Sequence, residues 1–267
     1  MNQADYRTIK IERRGRILYL IMNRPATLNA VDALMHTELA RVFRDANDDA
    51  ETDIVVLTGA GRAFCAGGDV DWMQDAIDHP ENFESTVAEA KQIVFSLLDC
   101  EKPVIAKVNG AAVGLGATLA LLCDIGFAAD TAVFADPHVS IGMVAGDGGA
   151  VIWPQLIGFA RAKEFLFTGD RIAAGRASEI GLINRSVPPD RLDAEVDAFA
   201  DRLASGATKA IRWTKVTANI ALKQLAHCMM DTGLAYEALT NISADHRERV
   251  QAFRERSSRA ASQKAIS

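Results

Sequence analysis

The sequence predicts an α/β fold with a helical C-terminal region, and three features of the chain support this prediction. Short apolar runs rich in β-branched residues alternate with segments of helical periodicity up to about residue 190. Such alternation is typical of crossover units in which helices cover a sheet. Two of the apolar runs lead directly into glycine-bearing turns, and from Pro189 to about Ser257 the pattern is helical without a strand candidate.

The predicted strands are short apolar runs bounded by glycine, proline or charged residues. They cover residues 8–13, 16–22, 53–59, 104–108 and 125–128. The predicted helices carry apolar residues at three- and four-residue spacing. They begin at Asp32 and then cover residues 81–98 and 117–122. The chain is therefore expected to divide into an α/β core (residues 1–190) and a helical region (residues 191–267).

Composition excludes several classes of protein. Hydrophobic residues make up 49% and charged residues 24% of the 267 residues, which is ordinary for a globular protein with a sizeable core. No window approaches the ~20 apolar residues that span a bilayer, and the N-terminus lacks a secretory pattern. A formal charge of −6 argues against a nucleic-acid partner. The four cysteines lack metal-ligand spacing, so a cytoplasmic protein without a metal is expected.

Two strand-to-helix turns, residues 63–69 and 109–116, are the candidate site. Their small residues let a ligand approach the backbone closely, and each following helix leaves N–H groups unpaired. If the turns face each other, two N–H groups can donate to one oxygen. Such an oxyanion hole stabilises a transition state by ~3–4 kcal/mol per donor. The alternative is that both segments are ordinary tight turns.

Several motifs along the chain resemble the crotonase (enoyl-CoA hydratase/isomerase) superfamily. They read NRP at 23–25, FCAGGD at 64–69, KVNG at 107–110, GLGATLALLCD at 114–124, FTGD at 167–170 and ASEIGLI at 177–183. The resemblance is close over about residues 10–190. It implies a spiral of ββα units, a C-terminal helical region that assembles homotrimers or homohexamers, and acyl-CoA substrates without a separate cofactor.

The resemblance also assigns roles to individual positions. The oxyanion donors would be the N–H groups of Gly68 and Leu115, although relatives usually carry glycine at the second position. Ala66 matches a contact to the adenine of CoA, and Arg24 matches a basic position near the CoA phosphates or ribose. Trp72, just after the first turn, is a candidate wall of the acyl pocket, with ordinary core packing as the alternative. Where many relatives carry a lysine, this chain has Asp71.

The two glutamates by which enoyl-CoA hydratases deliver water are missing. Their positions carry Thr118, a candidate substrate-binding residue, and His138. A threonine hydroxyl is too weak an acid or base to replace a carboxylate near neutral pH. Hydration by the two-glutamate route is therefore not expected.

His138 and Asp147 are a candidate catalytic pair in place of those glutamates. Histidine can act as a general base near neutrality, and a carboxylate can fix its tautomer and stabilise its charged form. The alternatives are that Asp147 caps a helix beginning at Gly148 and that His138 is a structural loop residue. The segment around the pair resembles the β-diketone hydrolase branch of the superfamily, such as 6-oxocamphor hydrolase.

Three functions stay open at this point. The first is an acyl-CoA enzyme that stabilises a thioester enolate, the second a β-diketone C–C hydrolase that acts without CoA, and the third a catalytically silent member that binds acyl-CoA. Three histidines (His36, His79 and His246) and a basic stripe (Lys209, Arg212 and Lys215) are predicted to face solvent, with CoA phosphate contact as the alternative for the stripe. Glu237 is a weaker candidate that could reach a site in a neighbouring subunit.

Overall fold

A computed structural model describes residues 1–264, except for the side chains of residue 84 and of residues 257–264. Its strands form two sheets, one of six strands and one of four. The larger sheet has the order β1-β2-β3-β5-β7-β10 and the smaller has the order β4-β6-β8-β9. In chain order the strands are β1 (Ile9–Arg14), β2 (Ile17–Met22), β3 (Ile54–Gly59), β4 (Ala63–Cys65), β5 (Val104–Val108), β6 (Ala111–Val113), β7 (Ile125–Ala129), β8 (Val133–Ala135), β9 (Ile172–Ala173) and β10 (Arg185–Val187).

The helices pack against these sheets or follow them at the C-terminus. They are α1 (Ala33–Asp48), α2 (Val70–Asp78), α3 (Asn82–Asp99), α4 (Leu115–Leu122), α5 (Gly149–Ile157), α6 (Phe159–Thr168), α7 (Ala174–Glu179), α8 (Leu192–Ala204), α9 (Thr208–Asn241) and α10 (Ala244–Lys264). A short 3-10 helix, His138–Ile141, lies between β8 and α5. Within the described residues, no helix is both long and apolar enough to cross a bilayer.

The chain repeats a ββα unit, as the family resemblance implies. A strand of the larger sheet leads to a strand of the smaller sheet and then to a helix, in the series β3-β4-α2 and again in β5-β6-α4. Neighbouring repeats pair in parallel, β3 with β5 and β4 with β6. Each repeat therefore places its strand-to-helix turn beside that of the next, which is what brings the two glycine-bearing turns together.

Helix α1 illustrates how the sequence sets an element. Asp32 begins the helix because its Oδ1 accepts a hydrogen bond from the Met35 N–H at 2.8 Å, and such a cap satisfies an otherwise unpaired donor. Leu39, Val42 and Phe43 are fully buried on one face, as their spacing predicts. Leu34, which the same pattern assigns to that face, is 38% exposed because it lies in the first turn, at the edge of the contact.

Most of the elements that sequence reasoning missed are very short, although it also missed α6, a helix of ten residues. Strands β4 and β6 have three residues each and lie inside the segments expected to be turns, and α4 begins at Leu115 rather than at 117. A run of three residues has too few side chains to display a period. The apolar side chains of α8 and α9 join the same buried cluster as the sheets. A role of residues 191–267 in oligomerisation stays a prediction.

Candidate active site

Residues 66–68 of the first turn connect β4 to α2, and hydrogen bonds from neighbouring polar groups fix the shape of this connection. Asn29 adopts a positive φ of 57°, and its Nδ2 donates to the carbonyl oxygens of Ala63 at 2.8 Å and Phe64 at 3.2 Å. Val31 lies alongside, with its N–H donating to the Gly67 carbonyl at 2.8 Å. Asp69 then caps α2 by accepting from the Asp71 N–H at 3.0 Å.

The second turn touches the first through glycine. A methyl group on Gly67 would lie 3.0 Å from the Val113 carbonyl oxygen, and one on Gly114 would lie 3.8 Å from the Gly67 Cα. Gly67 and Gly114 also have φ values of 91° and 54°, which disfavour other residues. The two turns therefore meet backbone to backbone, as the sequence analysis expects if they form one site.

Gly68 and Leu115 each present a backbone N–H at this meeting point. Leu115 is the first residue of α4, where an N–H has no partner within the helix. The hydrogen bonds of the described residues include none donated by the N–H of Gly68 or of Leu115. Neither group is thus committed to a partner among the described residues, and the Leu115 side chain, 8% exposed, belongs to the buried core. Their role as an oxyanion hole stays a prediction.

His138 lies directly beside the second turn. A methyl group on Gly114 would be 3.8 Å from the His138 Cε1. The ring is held between two carboxylates: Nδ1 donates to Oδ1 of Asp136, and Nε2 lies 3.6 Å from Oδ2 of Asp147. Asp136, which is only 1% exposed, was not singled out from the sequence, although it is two residues from His138.

Thr118 and Asp147 meet inside the protein. The Thr118 hydroxyl, fully buried on α4, donates to Oδ1 of Asp147 at 3.3 Å, and the Gly149 N–H donates to the same oxygen at 3.4 Å. Asp147 therefore makes both the contact to the start of α5 that a capping role requires and the contact to His138 that a catalytic role requires. A direct contact of Thr118 with substrate stays a prediction.

Glu237, from the long helix α9, completes the cluster from the same chain rather than from a neighbour. It is 8% exposed, and its Oε2 is buried without a hydrogen-bond partner among the described residues. A methyl group on Gly146 would lie 2.7 Å from that oxygen, so the carboxyl group lies against the loop that carries Asp147. We define Asp136, His138, Asp147 and Glu237 as the His138 cluster.

The pKa values of His138, Asp147 and Glu237 in the His138 cluster are raised above their ordinary values. Burial opposes the charged form of the ring, but the carboxylates of Asp136 and Asp147 outweigh burial and raise the pKa of His138 well above its ordinary value. Burial also raises the pKa of Asp147. Burial and the nearby Asp147 carboxylate raise the pKa of Glu237 to about 8, so this side chain is a neutral acid at pH 7.

The same side chains have the spacing of a possible cation site. Asp136, His138 and Asp147 each offer one ligand atom, and these atoms lie within 4.8 Å of one another. The ring nitrogens, however, already face the two carboxylates. This arrangement is also that of a histidine base oriented by acids, which needs no metal.

Arg24 lies in a second charged group, which we define with Asp32 and Asp69 as the Arg24 cluster. Its Nη2 is 3.1 Å from a carboxylate oxygen of each aspartate, and its Nη1 donates to the Ala30 carbonyl. The guanidinium charge is therefore already balanced twice over. Contact of Arg24 with a CoA phosphate stays a prediction, and the ion pairs of Arg24 weaken it. Contact of the half-buried Ala66 with adenine also stays a prediction.

Other basic and titratable residues do not lie where the sequence predicts. Lys215 is 9% exposed and pairs with Asp124 at 2.7 Å, so the predicted solvated stripe is wrong at this residue. Arg212 is partly exposed and pairs with Glu101 at 2.8 Å, and Lys209 is exposed as predicted. His36 and His246 are also buried, at 2% and 0% exposure, whereas His79 is exposed as predicted.

Trp72 is partly buried on α2, and its position in an acyl pocket stays a prediction. Its ring centroid lies 5.1 Å from that of His36, whose Nδ1 pairs with Oε2 of Glu89 at 2.7 Å. Met73, the next residue, lies nearer to the first turn, because a methyl group on Gly68 would be 3.6 Å from its Cγ. The side chain that lies closest to Gly68 is thus flexible and apolar.

Comparisons with known proteins agree with this fold. Residues 12–263 match the family described as enoyl-CoA hydratase/isomerase. The chain is 35% identical over 259 residues to a crotonyl-CoA hydratase of Syntrophomonas wolfei, which covers 94% of this chain and 96% of the relative. It is 34% identical over 236 residues to a short-chain-enoyl-CoA hydratase of Clostridium acetobutylicum, with 88% of each chain covered.

Solved structures give the same assignment. An enoyl-CoA hydratase/isomerase from Mycobacterium paratuberculosis superposes with a TM-score of 0.90 at 38% identity, covering 93% of this chain and 99% of the other. A β-diketone hydrolase from the cyanobacterium Anabaena, bound to (S)-3-oxocyclohexyl acetic acid, has a TM-score of 0.84 at 32% identity and covers 90% and 96%. The fold is that of the crotonase superfamily. The chain belongs to its enoyl-CoA hydratase/isomerase family of enzymes, which confirms the resemblance seen in the motifs.

Proposed function

We propose that this protein is a carbon–carbon hydrolase that cleaves an enolisable 1,3-dicarbonyl compound with water. One observation carries the proposal: His138 stands between the carboxylates of Asp136 and Asp147, beside Gly114 of the second turn. Cleavage of this kind needs a base for water and a site for an enolate oxygen. It does not need the paired glutamates of hydratases, whose positions are occupied by Thr118 and His138 according to the family resemblance.

The His138 cluster supplies the base. Asp136 accepts a hydrogen bond from the Nδ1–H group, which keeps that proton on Nδ1. The unprotonated Nε2 can then take a proton from water. Asp147, whose Oδ2 is 3.6 Å from Nε2, stabilises the imidazolium that forms. Because its pKa is raised, the ring is a stronger base than ordinary histidine, and activity rises as the pH approaches that raised value.

The bond changes balance without a cofactor. Water loses a proton to His138, and the hydroxide oxygen attacks one carbonyl carbon of the substrate. The tetrahedral intermediate then collapses, the bond to the central carbon breaks, and its electrons form an enolate with the second carbonyl. The N–H groups of Gly68 and Leu115 hold that enolate oxygen. Glu237, neutral at pH 7, gives a proton to the central carbon, which leaves a carboxylic acid and a ketone. The proton that His138 took from water then passes to the Glu237 carboxylate, so both groups return to their starting forms.

The charged residues around the turns favour a substrate without CoA. Coenzyme A carries several phosphates that need uncommitted cations. Arg24 is paired with Asp32 and Asp69, and Arg254 is paired with Asp71 at 3.3 Å, at the position where many relatives carry a lysine. The solved β-diketone hydrolase from Anabaena, similar over 90% of this chain, supports the same choice.

A second candidate function is that of an acyl-CoA enzyme. The 35% identity to a crotonyl-CoA hydratase favours it. In that case Gly68 and Leu115 would hold the thioester oxygen, Arg24 and Ala66 would contact CoA, Trp72 would line the acyl pocket, and His138 with Asp147 would move the proton. In both cases we expect a cytoplasmic homotrimer or homohexamer that requires no separate cofactor.

The test is a comparison of two substrate series on the purified enzyme. One series contains cyclic 1,3-diketones, and the other contains crotonyl-CoA and acetoacetyl-CoA. The proposal predicts conversion of a cyclic diketone to a keto acid, unaffected by millimolar free CoA. Hydration of crotonyl-CoA with competition by CoA, and no diketone cleavage, would favour the second candidate. Binding of acetoacetyl-CoA without turnover of any compound would favour a catalytically silent protein.

A further inference from the structure

The first turn of α10 lies on the segment that carries His138. Gly142 ends the short 3-10 helix His138–Ile141 with a φ of 70°. A methyl group on Gly142 would lie 2.9 Å from Oδ2 of Asp245 and 3.1 Å from the backbone N of His246. The contact is thus one of backbone against backbone, which leaves no room for a side chain on the loop.

His246 makes the polar contact across this interface. It is fully buried, and its Nδ1 lies 2.5 Å from the carbonyl oxygen of Ile141. A carbonyl can only accept, so Nδ1 carries the hydrogen. Nε2 is then an unprotonated nitrogen, and it is buried without a partner among the described residues.

The surroundings keep this ring neutral. Burial lowers the pKa of His246, although the Ile141 carbonyl and the Asp245 carboxylate oppose this effect. The other charged group that acts on the ring is His138. Asp245 is itself exposed and paired with Arg249 at 2.7 Å. A neutral His246 can hold the loop without adding a second positive charge beside His138.

Other hydrogen bonds of this loop are mostly local, and just beyond the segment His138–Ile141 the Val144 N–H donates to the Thr240 hydroxyl of α9 at 3.3 Å. The Met143 N–H donates to the His138 carbonyl at 2.8 Å and the Ser140 N–H to the Pro137 carbonyl at 2.9 Å, but both bonds lie within the segment. The His246–Ile141 hydrogen bond ties the segment to a different element, 105 residues away in sequence. Release of that bond would let the whole segment shift, and with it the His138 ring relative to Asp136.

We propose that His246 is a positioning residue: through the Ile141 carbonyl it fixes the segment His138–Ile141 so that His138 remains between Asp136 and Asp147. The consequence for catalysis rests on the proposed function, but the positioning itself does not. His246 touches neither turn, and it acts only through the loop. The C-terminal helix thereby controls the protonation of a side chain more than a hundred residues earlier in the chain.

The experiment is an NMR titration of protein labelled with ¹⁵N in its histidines, five in all. The His138 signals are assigned by their absence in His138→Gln. Asparagine places its amide near the Nδ1 position and glutamine near the Nε2 position, so His246→Asn keeps the bond to Ile141 whereas His246→Gln and His246→Ala lose it. The exposed His79, changed to Asn, is the matched control.

We expect the variants to differ in the pH at which His138 is half-protonated, which is the midpoint of its titration. In His246→Ala and His246→Gln the midpoint of His138 falls by about one unit towards its ordinary value, since the pairing with Asp136 and Asp147 is weakened. It stays within about 0.3 units of wild type in His246→Asn and His79→Asn. If a cleavage activity is found, His246→Ala lowers kcat by about 10²-fold with little change in KM, and Asn restores it.

The NMR readout separates two kinds of failure. An unchanged His138 midpoint in folded His246→Ala would overturn the positioning role, whatever reaction the enzyme performs. If the alanine variant does not fold, equal midpoints in the Asn and Gln variants would overturn it. A shifted midpoint in an enzyme that cleaves no 1,3-dicarbonyl compound would keep the positioning role and reject only the proposed function.

Discussion

The Arg24 cluster and the His138 cluster both place charged side chains beside the glycine turns, but they differ in how their charges are balanced. Arg24 is satisfied by two carboxylates and a carbonyl, and the two aspartates also cap helices. The His138 cluster sets three acids against one histidine and leaves Oδ2 of Asp136 and Oε2 of Glu237 buried without partners among the described residues.

This difference predicts a structural role for the Arg24 cluster and a reactive role for the His138 cluster. Buried polar groups are normally paired, and an unpaired group is destabilising unless it serves a function. Groups held away from their ordinary pKa are enriched at catalytic sites. The fully paired Arg24 cluster is therefore expected to hold the first turn in shape, and the incompletely paired His138 cluster to move protons.

The largest effect is expected for His138. His138→Gln should lower kcat/KM for diketone cleavage by about 10³- to 10⁴-fold, because the base for water is lost. The measurement is steady-state kinetics on the diketone that the wild type cleaves. His79→Asn, which changes an exposed histidine, should retain full activity. Unchanged turnover in His138→Gln would remove the histidine from the mechanism.

The second comparison is between the two carboxylates that flank the ring. Asp147→Asn should lower kcat by about 10²-fold, because the imidazolium loses its stabilising charge. The pKa of His138 should fall as well, so the acid limb of the pH profile moves to lower pH. Asp136→Asn should shift that limb in the same direction. A limb that stays in place in both variants would contradict the assignment to His138.

Glu237 is expected to reduce stability in exchange for its acid function. Its pKa is about 8 in the folded protein and about 4.3 in an exposed glutamate, so the native state binds the extra proton and stability falls as the pH rises between these values. Glu237→Gln should therefore stabilise the protein by the order of 2–4 kcal/mol at pH 8 and have little effect at pH 4.5.

Thermal unfolding at the two pH values measures this difference. Loss of the alkaline limb of the activity profile near pH 8 in the same variant would identify Glu237 as the proton donor. Equal melting temperatures of wild type and Glu237→Gln at both pH values would mean that the carboxyl group is hydrated and not held as a neutral acid.

The smallest effect is expected in the Arg24 cluster. Arg24→Gln should cost about 1 kcal/mol of stability, because its two partly exposed ion pairs are lost. The KM for a diketone should change less than about threefold, since the side chain does not bind substrate on this account. A rise of tenfold or more in the KM for an acyl-CoA would instead assign Arg24 to CoA binding and favour the second candidate function.

Sequence reasoning predicted the local features well and the remote ones poorly. The cap at Asp32, the two turns and the pairing of His138 with Asp147 involve residues close in sequence or adjacent repeats. Glu237 comes from a helix some 90 residues beyond Asp147, and helical spacing shows which residues share a face but not what that face contacts. The same limit explains why His246 and Lys215 were expected to be exposed.

Hydrolysis of a carbon–carbon bond is tested by incubating a cyclic 1,3-diketone with the enzyme in water enriched in ¹⁸O and analysing the product by mass spectrometry. We expect a ring-opened keto acid that carries one solvent oxygen in its carboxyl group, formed by wild type and by His79→Asn but not by His138→Gln. Recovery of intact diketone, with ¹⁸O instead at the β-carbon of a hydrated enoyl-CoA, would contradict it.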